Sequence, residues 1–262
     1  MKILICGGGI AGPAAAYWLS QRGGHRVVIV ERAPSLRASG AQIDLRGQGI
    51  EVARRMGLLP AIRGALVDEA GVSFVDARGA VRGTVLANRS GRGAQSLTSE
   101  YEIMRGDLVR ILHEATREAV EYRFGVTVER FERSGDGAGA GAGVAVRFSD
   151  GSADTFDLLV GADGQGSRVR RAMLPPGAPD PLVRLGIHMA YWFVPRIEGD
   201  DNIRRTYHSP GGRMIMRRTH NATETQVYFI LKDASSALSS VPRAPQDQQL
   251  SLIHISEPTR PY

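Results

Sequence analysis

The chain has 262 residues, 42% of them hydrophobic and 23% charged, with a formal net charge of +6. That balance belongs to a folded globular protein and excludes a low-complexity disordered chain. No apolar run reaches the ~20 residues that a membrane-crossing helix needs, so no membrane partner is expected. The single cysteine, Cys6, excludes a disulfide framework and any cysteine-based metal centre. Nearly all the basic residues are arginine, Lys2 and Lys232 being the only lysines. They are scattered rather than clustered with aromatic residues, so no nucleic-acid partner is expected either.

Residues 2–6 are a short apolar, β-branched run ended by Gly7-Gly8-Gly9, the pattern of a buried parallel strand. The run is too short for a secretion signal, which makes the cytoplasm the expected location. Small and apolar residues from Gly12 to Arg22 predict a helix stopped by Gly23-Gly24. Residues 27–30 predict a second buried strand ending at Glu31. Strand, glycine turn, helix and strand in this order make a βαβ unit. A loop with a short strand at 42–45 follows, then helices at 49–56 and 59–66. Residues 72–75 and 80–85 alternate about Asp76–Gly79 and predict a hairpin. The polar segment 87–99 reads as a mobile loop. Helical spacing covers 107–119.

Strands are expected at 126–131 and 144–148, joined by the Gly/Ala tract 135–143, which reads as a flexible hairpin tip. A third buried strand, 158–160, leads into Gly161-Ala162-Asp163-Gly164 and a helix from Ser167 to Met173. Prolines 175, 176, 179 and 181 mark a boundary. Beyond it, 186–195, 204–208, 213–217 and 226–231 predict antiparallel strands of a second region. Leu252–Tyr262 has two prolines and no periodicity; residues 250–262 read as a non-native tail.

The chemistry sits first in Gly7-Gly8-Gly9-Ile10-Ala11-Gly12, a G-x-G-x-x-G turn between strand and helix. Gly7 permits the sharp turn, Gly9 lets a pyrophosphate reach the backbone, and Gly12 lets helix and strand pack closely. Ile10 and Ala11 present the free N–H groups of the helix start, where the helix dipole favours an anion. Glu31, at the end of the next strand, can accept both hydroxyl protons of an adenosine ribose and would repel a 2′-phosphate. A tight turn without ligand is the plainer alternative. After the second strand the βαβ rhythm stops and returns only near residue 158. That split layout suits an FAD lying extended along the sheet.

These segments resemble the class A flavoprotein monooxygenases, the fold of the aromatic-ring hydroxylases, and within them the tetracycline-inactivating and polyketide hydroxylases. The resemblance covers residues 2–175 and, more faintly, runs on to about 232. Four segments carry it: Gly7–Gly12 with Glu31-Arg32, the run Arg37–Asp44, Arg105-Gly106-Asp107-Leu108, and Asp157–Arg168 with its Asp-Gly turn. The fold it implies is α/β, a Rossmann-like FAD-binding domain at 1–175 plus an incomplete β-rich substrate domain at 176–249. An excursion at 71–99 runs toward the substrate region. The implied cofactor is FAD, with NAD(P)H as co-substrate, and the implied partner is an aromatic or polyketide-like small molecule that is hydroxylated with O₂.

The resemblance also implies residue roles. Glu31 would hold the ribose and Arg32 lie near the adenine. Arg37 would help receive the reduced nicotinamide nucleotide, and Asp44 would lie beside the flavin. Arg105 would contact the linking chain, and Asp163 with Gly164 would shape the second cofactor turn. Bland roles compete: Arg37 and Arg105 as surface arginines, Asp163 as a helix cap. No catalytic dyad and no metal site are expected, since the six histidines lack metal spacing and G-x-S-x-G is absent. The family's later Gly-Asp-Ala turn is not found, so the chain reads as the front part of a longer protein. Another flavin-dependent oxidoreductase (a reductase or halogenase) and an inactive FAD-binding fragment are the alternative functions. Against the halogenase, no W-x-W-x-I-P run occurs.

Overall fold

The computed structural model describes residues 1–21, 23–37, 40–88, 100–134 and 143–233. Most of the loop expected at 87–99, most of the Gly/Ala tract and the tail from 250 lie outside them. The chain divides into two compact units. The first holds Met1–Leu66 and Tyr101–Leu182, the second Val67–Glu100 and Val183–Tyr262.

The first unit is built on a parallel sheet of four strands in the order β11-β1-β2-β7. These are β1 (Lys2–Cys6), β2 (Arg26–Glu31), β7 (Val120–Phe124) and β11 (Leu158–Gly161). Both faces of the two central strands are covered, which is why their sequences are continuous apolar runs. Ile3, Ile5, Val27 and Ile29 pack with Ala16 of helix α1 (Ala11–Gln21) on one face. Leu4, Cys6, Val28 and Val30 pack on the other against Val146, Phe148 and Phe156. Those three belong to an antiparallel sheet of β8 (Val128–Ser134), β9 (Gly143–Phe148) and β10 (Ala153–Phe156), and helix α5 (Arg168–Met173) adds Val169.

A third cluster lies along the outer side of α1. A two-stranded ribbon, β3 (Gln42–Asp44) with β6 (Glu102–Met104), packs there with α2 (Gln48–Arg55), α3 (Leu59–Gly64) and α4 (Arg105–Glu114). Ile43 and Ile103 face each other across the ribbon and enter the cluster together.

Three differences from the sequence expectation have physical causes. The helix expected to reach 119 stops at Glu114, after which the Thr116 and Ala119 N–H groups turn to the i−3 carbonyls of His113 and Thr116 (both 3.0 Å) and the Thr116 hydroxyl meets the Tyr122 hydroxyl (2.6 Å). Strand β7 then follows unanticipated. Its charged residues Glu121 and Arg123 suit a sheet edge, where Glu121 also pairs with Arg26. The Arg26 and Arg123 guanidinium groups hold the Glu121 carboxyl below its ordinary range. The strand expected to be buried at 158–160 is observed as Leu158–Gly161 at the opposite edge, with Leu158 40% exposed.

The second unit carries a six-stranded sheet, β12-β15-β14-β13-β4-β5. Its strands are β4 (Gly71–Val75), β5 (Val81–Leu86), β12 (Ile187–Pro195), β13 (Ile203–Ser209), β14 (Arg213–Thr219) and β15 (Glu224–Lys232). The hairpin β4–β5 joins through a parallel pairing of β4 with β13, Ile203 opposite Gly71. Just before β4, Glu69 accepts from Arg218 Nε at 2.8 Å, and both side chains are only 5% exposed. Arg204 stands 3.8 Å from the same carboxylate.

Breaking a buried pair leaves an enclosed charge, so Glu69→Ala should cost about 3–5 kcal/mol in urea unfolding. The double change Glu69→Leu with Arg218→Met should cost less than the single one. An equal or larger loss in the double variant would show that the pair is not what matters there.

Candidate functional site: a glycine turn at the ends of three parallel strands

The ends of β11, β1 and β2 are tied together by backbone. Gly7 N–H donates to the Val30 carbonyl and Ala162 N–H to the Cys6 carbonyl, both at 2.8 Å. Gly7 has φ +114°, and a Cβ there would run into the Ala162 carbonyl. A Cβ at Gly12 would overlap the Gly7 carbonyl oxygen. These two glycines are therefore demanded by the fold. Gly9 is not: a Cβ there meets nothing within 4 Å. The open side of the turn is at Gly9, where α1 begins.

Helix α1 carries no acidic residue in its first turn, so nothing in that turn offsets its dipole. The first helical bond runs from Ala14 N–H to the Ile10 carbonyl at 3.1 Å. The N–H groups of the first turn have no partner inside the helix. Glu31 closes the other side. Its Oε2 accepts from Gly8 N–H at 2.8 Å and its Oε1 from Ala33 N–H at 3.0 Å. A carboxylate has about four acceptor positions, so a pair remains for further donors. A nucleoside diphosphate fits these residues: diphosphate at Gly9 and the helix start, ribose hydroxyls at Glu31.

The remaining expected residues divide. Asp163 is a cap: its Oδ2 accepts from Arg168 N–H (2.7 Å) and Val169 N–H (3.3 Å), and its Oδ1 accepts from the Ser167 hydroxyl. Ser167 in turn accepts from Arg170 N–H at 2.9 Å. Gly164, φ +79°, has open space around it. Arg32, Arg37 and Arg105 are exposed, and their side chains have no carboxylate partner among the described residues.

Arg105 opens α4, and its N–H donates to the Ala41 carbonyl at 3.2 Å. Its side chain lies against Gly40, φ +136°, where a Cβ would come within 2.7 Å of the Arg105 Cδ. Asp44 pairs with Arg46 through one carboxylate oxygen, while the other is shielded from solvent and has no hydrogen-bond partner among the described residues. Gly40, Gln42 and Ser167 were not among the expected site residues. Ser167, just before a helix, carried a capping signal; Gly40 and Gln42 lie in the run Arg37–Asp44, whose resemblance to the loop beside the flavin marked the segment but not these two residues.

Among the described residues, no group of three His, Cys, Asp or Glu side chains is placed to hold a metal. No helix among them is long and apolar enough to cross a membrane.

A parallel strand, a glycine turn opening a helix, and a carboxylate ending the next strand define a dinucleotide-binding domain. The FAD binding domain family matches residues 1–253, and the chain belongs to that family. It is similar to the FAD-dependent monooxygenase asL4 of Sarocladium schorii, with 41% identity over 247 residues, 93% of this chain and 56% of the relative. It is equally similar to the flavin-dependent monooxygenase eupH of a Phoma species: 41% over 262 residues, 99% of this chain and 60% of the relative. Among solved structures, the tetracycline destructase Tet(51) superposes with a TM-score of 0.78 at 28% identity, covering 98% of this chain and 62% of that one. The fold is thus that of the class A flavin monooxygenases, and FAD is the family's cofactor. The chain spans about three fifths of the length of these relatives.

Cys6 lies directly before the turn, 4% exposed. Burial, with the nearby Asp163 charge, pushes its thiol up to about 12. At pH 8 the thiolate fraction is then on the order of 10⁻⁴. Ellman's reagent should therefore leave the folded protein untouched and react fully in urea; rapid reaction of the folded protein would mean that the turn opens readily.

Proposed function

We propose that the chain is the FAD-binding part of a monooxygenase that hydroxylates an aromatic or polyketide-like small molecule. The overall balance is substrate–H + NAD(P)H + O₂ + H⁺ giving substrate–OH + NAD(P)⁺ + H₂O. The printed names of the relatives support the reaction class. The observation that carries the cofactor assignment is the open backbone at Gly9 between an unopposed helix start and Glu31.

FAD, when bound, supplies the electron transfer from NAD(P)H and the activation of O₂. This chain's residues bind and orient. Gly7, Gly9, Ile10, Ala11 and Gly12 form the diphosphate cradle, with Glu31 on the ribose and Arg32 near the adenine. Arg105, held against Gly40, suits the oxygens of the linking chain, since a guanidinium fork presents fixed donors. Asp44 is assigned to the flavin side and Arg37 to the nicotinamide nucleotide, while Asp163 acts through the turn it caps, at Gly164. The second unit, whose β12 and β15 bring together Tyr191 with Tyr228 and Trp192 with Phe229, is assigned to the substrate. The test is flavin binding followed by product mass: with NAD(P)H and O₂, the substrate should gain one oxygen atom. NAD(P)H consumption yielding only peroxide would reject the hydroxylation.

Gly9→Ala and Gly12→Ala should separate ligand space from fold space. The first should leave the melting temperature of the FAD-free protein within about 2 °C yet weaken FAD about tenfold or more. The second should lower the melting temperature outright, because its Cβ collides with the Gly7 carbonyl. Equal FAD affinity in wild type and Gly9→Ala would remove the diphosphate from this turn.

Glu31→Ala should weaken FAD by about 1.5–3 kcal/mol, roughly ten- to a hundredfold. Glu31→Gln, which keeps one acceptor for Gly8 or Ala33, should lose less. Titration of the apoprotein followed by flavin fluorescence reads both. Arg37→Ala, in contrast, should slow anaerobic flavin reduction by NAD(P)H while the bound flavin content stays unchanged. An unaltered reduction rate at low NAD(P)H would make Arg37 an ordinary surface residue.

A further inference from the structure

The β3–β6 ribbon has two faces of opposite character. Ile43 and Ile103 look into the apolar cluster against α1. Gln42 and Asp44, at i and i+2 on the same strand, lie on the other face. There the Gln42 carboxamide is singular. Both Nε2 and Oε1 are shielded from solvent, and neither has a hydrogen-bond partner among the described residues. One oxygen of Asp44 shares that condition beside it. Folded proteins rarely keep an enclosed polar group unpaired, and each such group asks what it is meant to meet.

Position and chemistry narrow the answer. Gln42 pairs in register with Met104, the residue before Arg105, and the preceding Ala41 accepts the Arg105 N–H. Gln42 therefore sits, along and across the ribbon, one residue from the backbone contact that holds the arginine assigned to the cofactor's linking chain. The adenosine end is assigned to Glu31, on a different strand of a different sheet. A carboxamide sets one donor and one acceptor side by side in a plane. Its complement is a ring edge that sets a carbonyl beside an N–H, a cyclic imide. FAD has such an edge at the flavin end, where N3–H lies between the C2 and C4 carbonyls.

We propose that Gln42 is a flavin-recognition residue: its Nε2–H donates to one imide carbonyl and its Oε1 accepts from N3–H. This rests on the FAD assignment above. The two unpaired atoms of the FAD-free protein are then the two atoms that the flavin satisfies. Removing the carboxamide relieves the empty protein and injures the loaded one, so the effects on stability and on affinity have opposite signs.

The experiment titrates wild type and Gln42→Leu with FAD, N3-methyl-FAD and ADP, and melts each protein without ligand. Gln42→Leu should melt higher than wild type when empty and bind FAD about tenfold more weakly, while its ADP affinity stays within about twofold. Wild type should prefer FAD to N3-methyl-FAD by about tenfold, and Gln42→Leu should lose that preference. Gln42→Glu, which keeps the acceptor and loses the donor, provides the second variant: it should bind FAD more weakly than wild type yet still discriminate against the N3-methyl analogue. Unchanged FAD affinity in Gln42→Leu, or retained discrimination in it, overturns the proposal while FAD and ADP binding by wild type leave the cofactor assignment standing. A wild type that binds neither FAD nor ADP overturns both.

Discussion

The close approach of helix α1 to the end of β1, backbone against backbone at Gly7 and Gly12, is the contact on which the first unit depends. One helix serves two clusters. Its Ala16 lies on the central sheet with Ile3, Ile5, Val27 and Ile29, and its Ala14 and Tyr17 lie against the ribbon and helices α2–α4. A methyl group at Gly12 would lift the helix from the strand and loosen both clusters at once, because interiors at native packing density have no slack to absorb the shift. The same contact turns the helix start toward the space beside Gly9. The packing and the direction of the helix start thus follow from one steric condition.

Charge is sorted around that framework. Many of the arginines of the first unit stand beside a carboxylate: Arg26 with Glu121, Arg54 and Arg55 with Glu51, Arg110 with Asp107, Arg170 with Asp180. Exposed pairs of this kind add little stability, but they neutralise each other locally. Arg32, Arg37 and Arg105 have no such partner among the described residues, a condition they share with Arg147, Arg168 and Arg171. Carboxylates divide the same way. Asp163 is committed to the start of α5 through three hydrogen bonds. Glu31, tied to two backbone N–H groups, is held in place and still has acceptor capacity to offer.

The second unit solves a different problem. Its sheet joins a hairpin from early in the chain to four strands from late in it, through the parallel contact of β4 with β13. Glu69, at the entry to that hairpin, is locked to Arg218 of β14 and lies near Arg204 of β13. A buried ion pair adds little net stability. Because a wrong register would strand a charge, it penalises misplacement of the hairpin instead.

The sequence by itself determined the βαβ unit, the glycine turn, the place of Glu31 at the end of β2 and the positions of the late strands. In each case the deciding information is local: apolar runs covered on both faces, glycines where a side chain has no room, turns at fixed spacing. Strands β6, β7 and β10 were not legible. Charged β7 forms the edge beside β2, and polar β10 is extended only because it pairs with β9. For Asp163 the sequence allowed a cap, a place at the cofactor turn or both, and its hydrogen bonds show the cap. The membership of the β4–β5 hairpin was decided by β13, whose strand begins at Ile203. The isolation of Gln42 was likewise invisible, because one residue type in an alternating strand does not reveal whether its amide finds a partner. Such questions turn on which distant groups fill the space around a side chain, and only the folded chain brings those groups together.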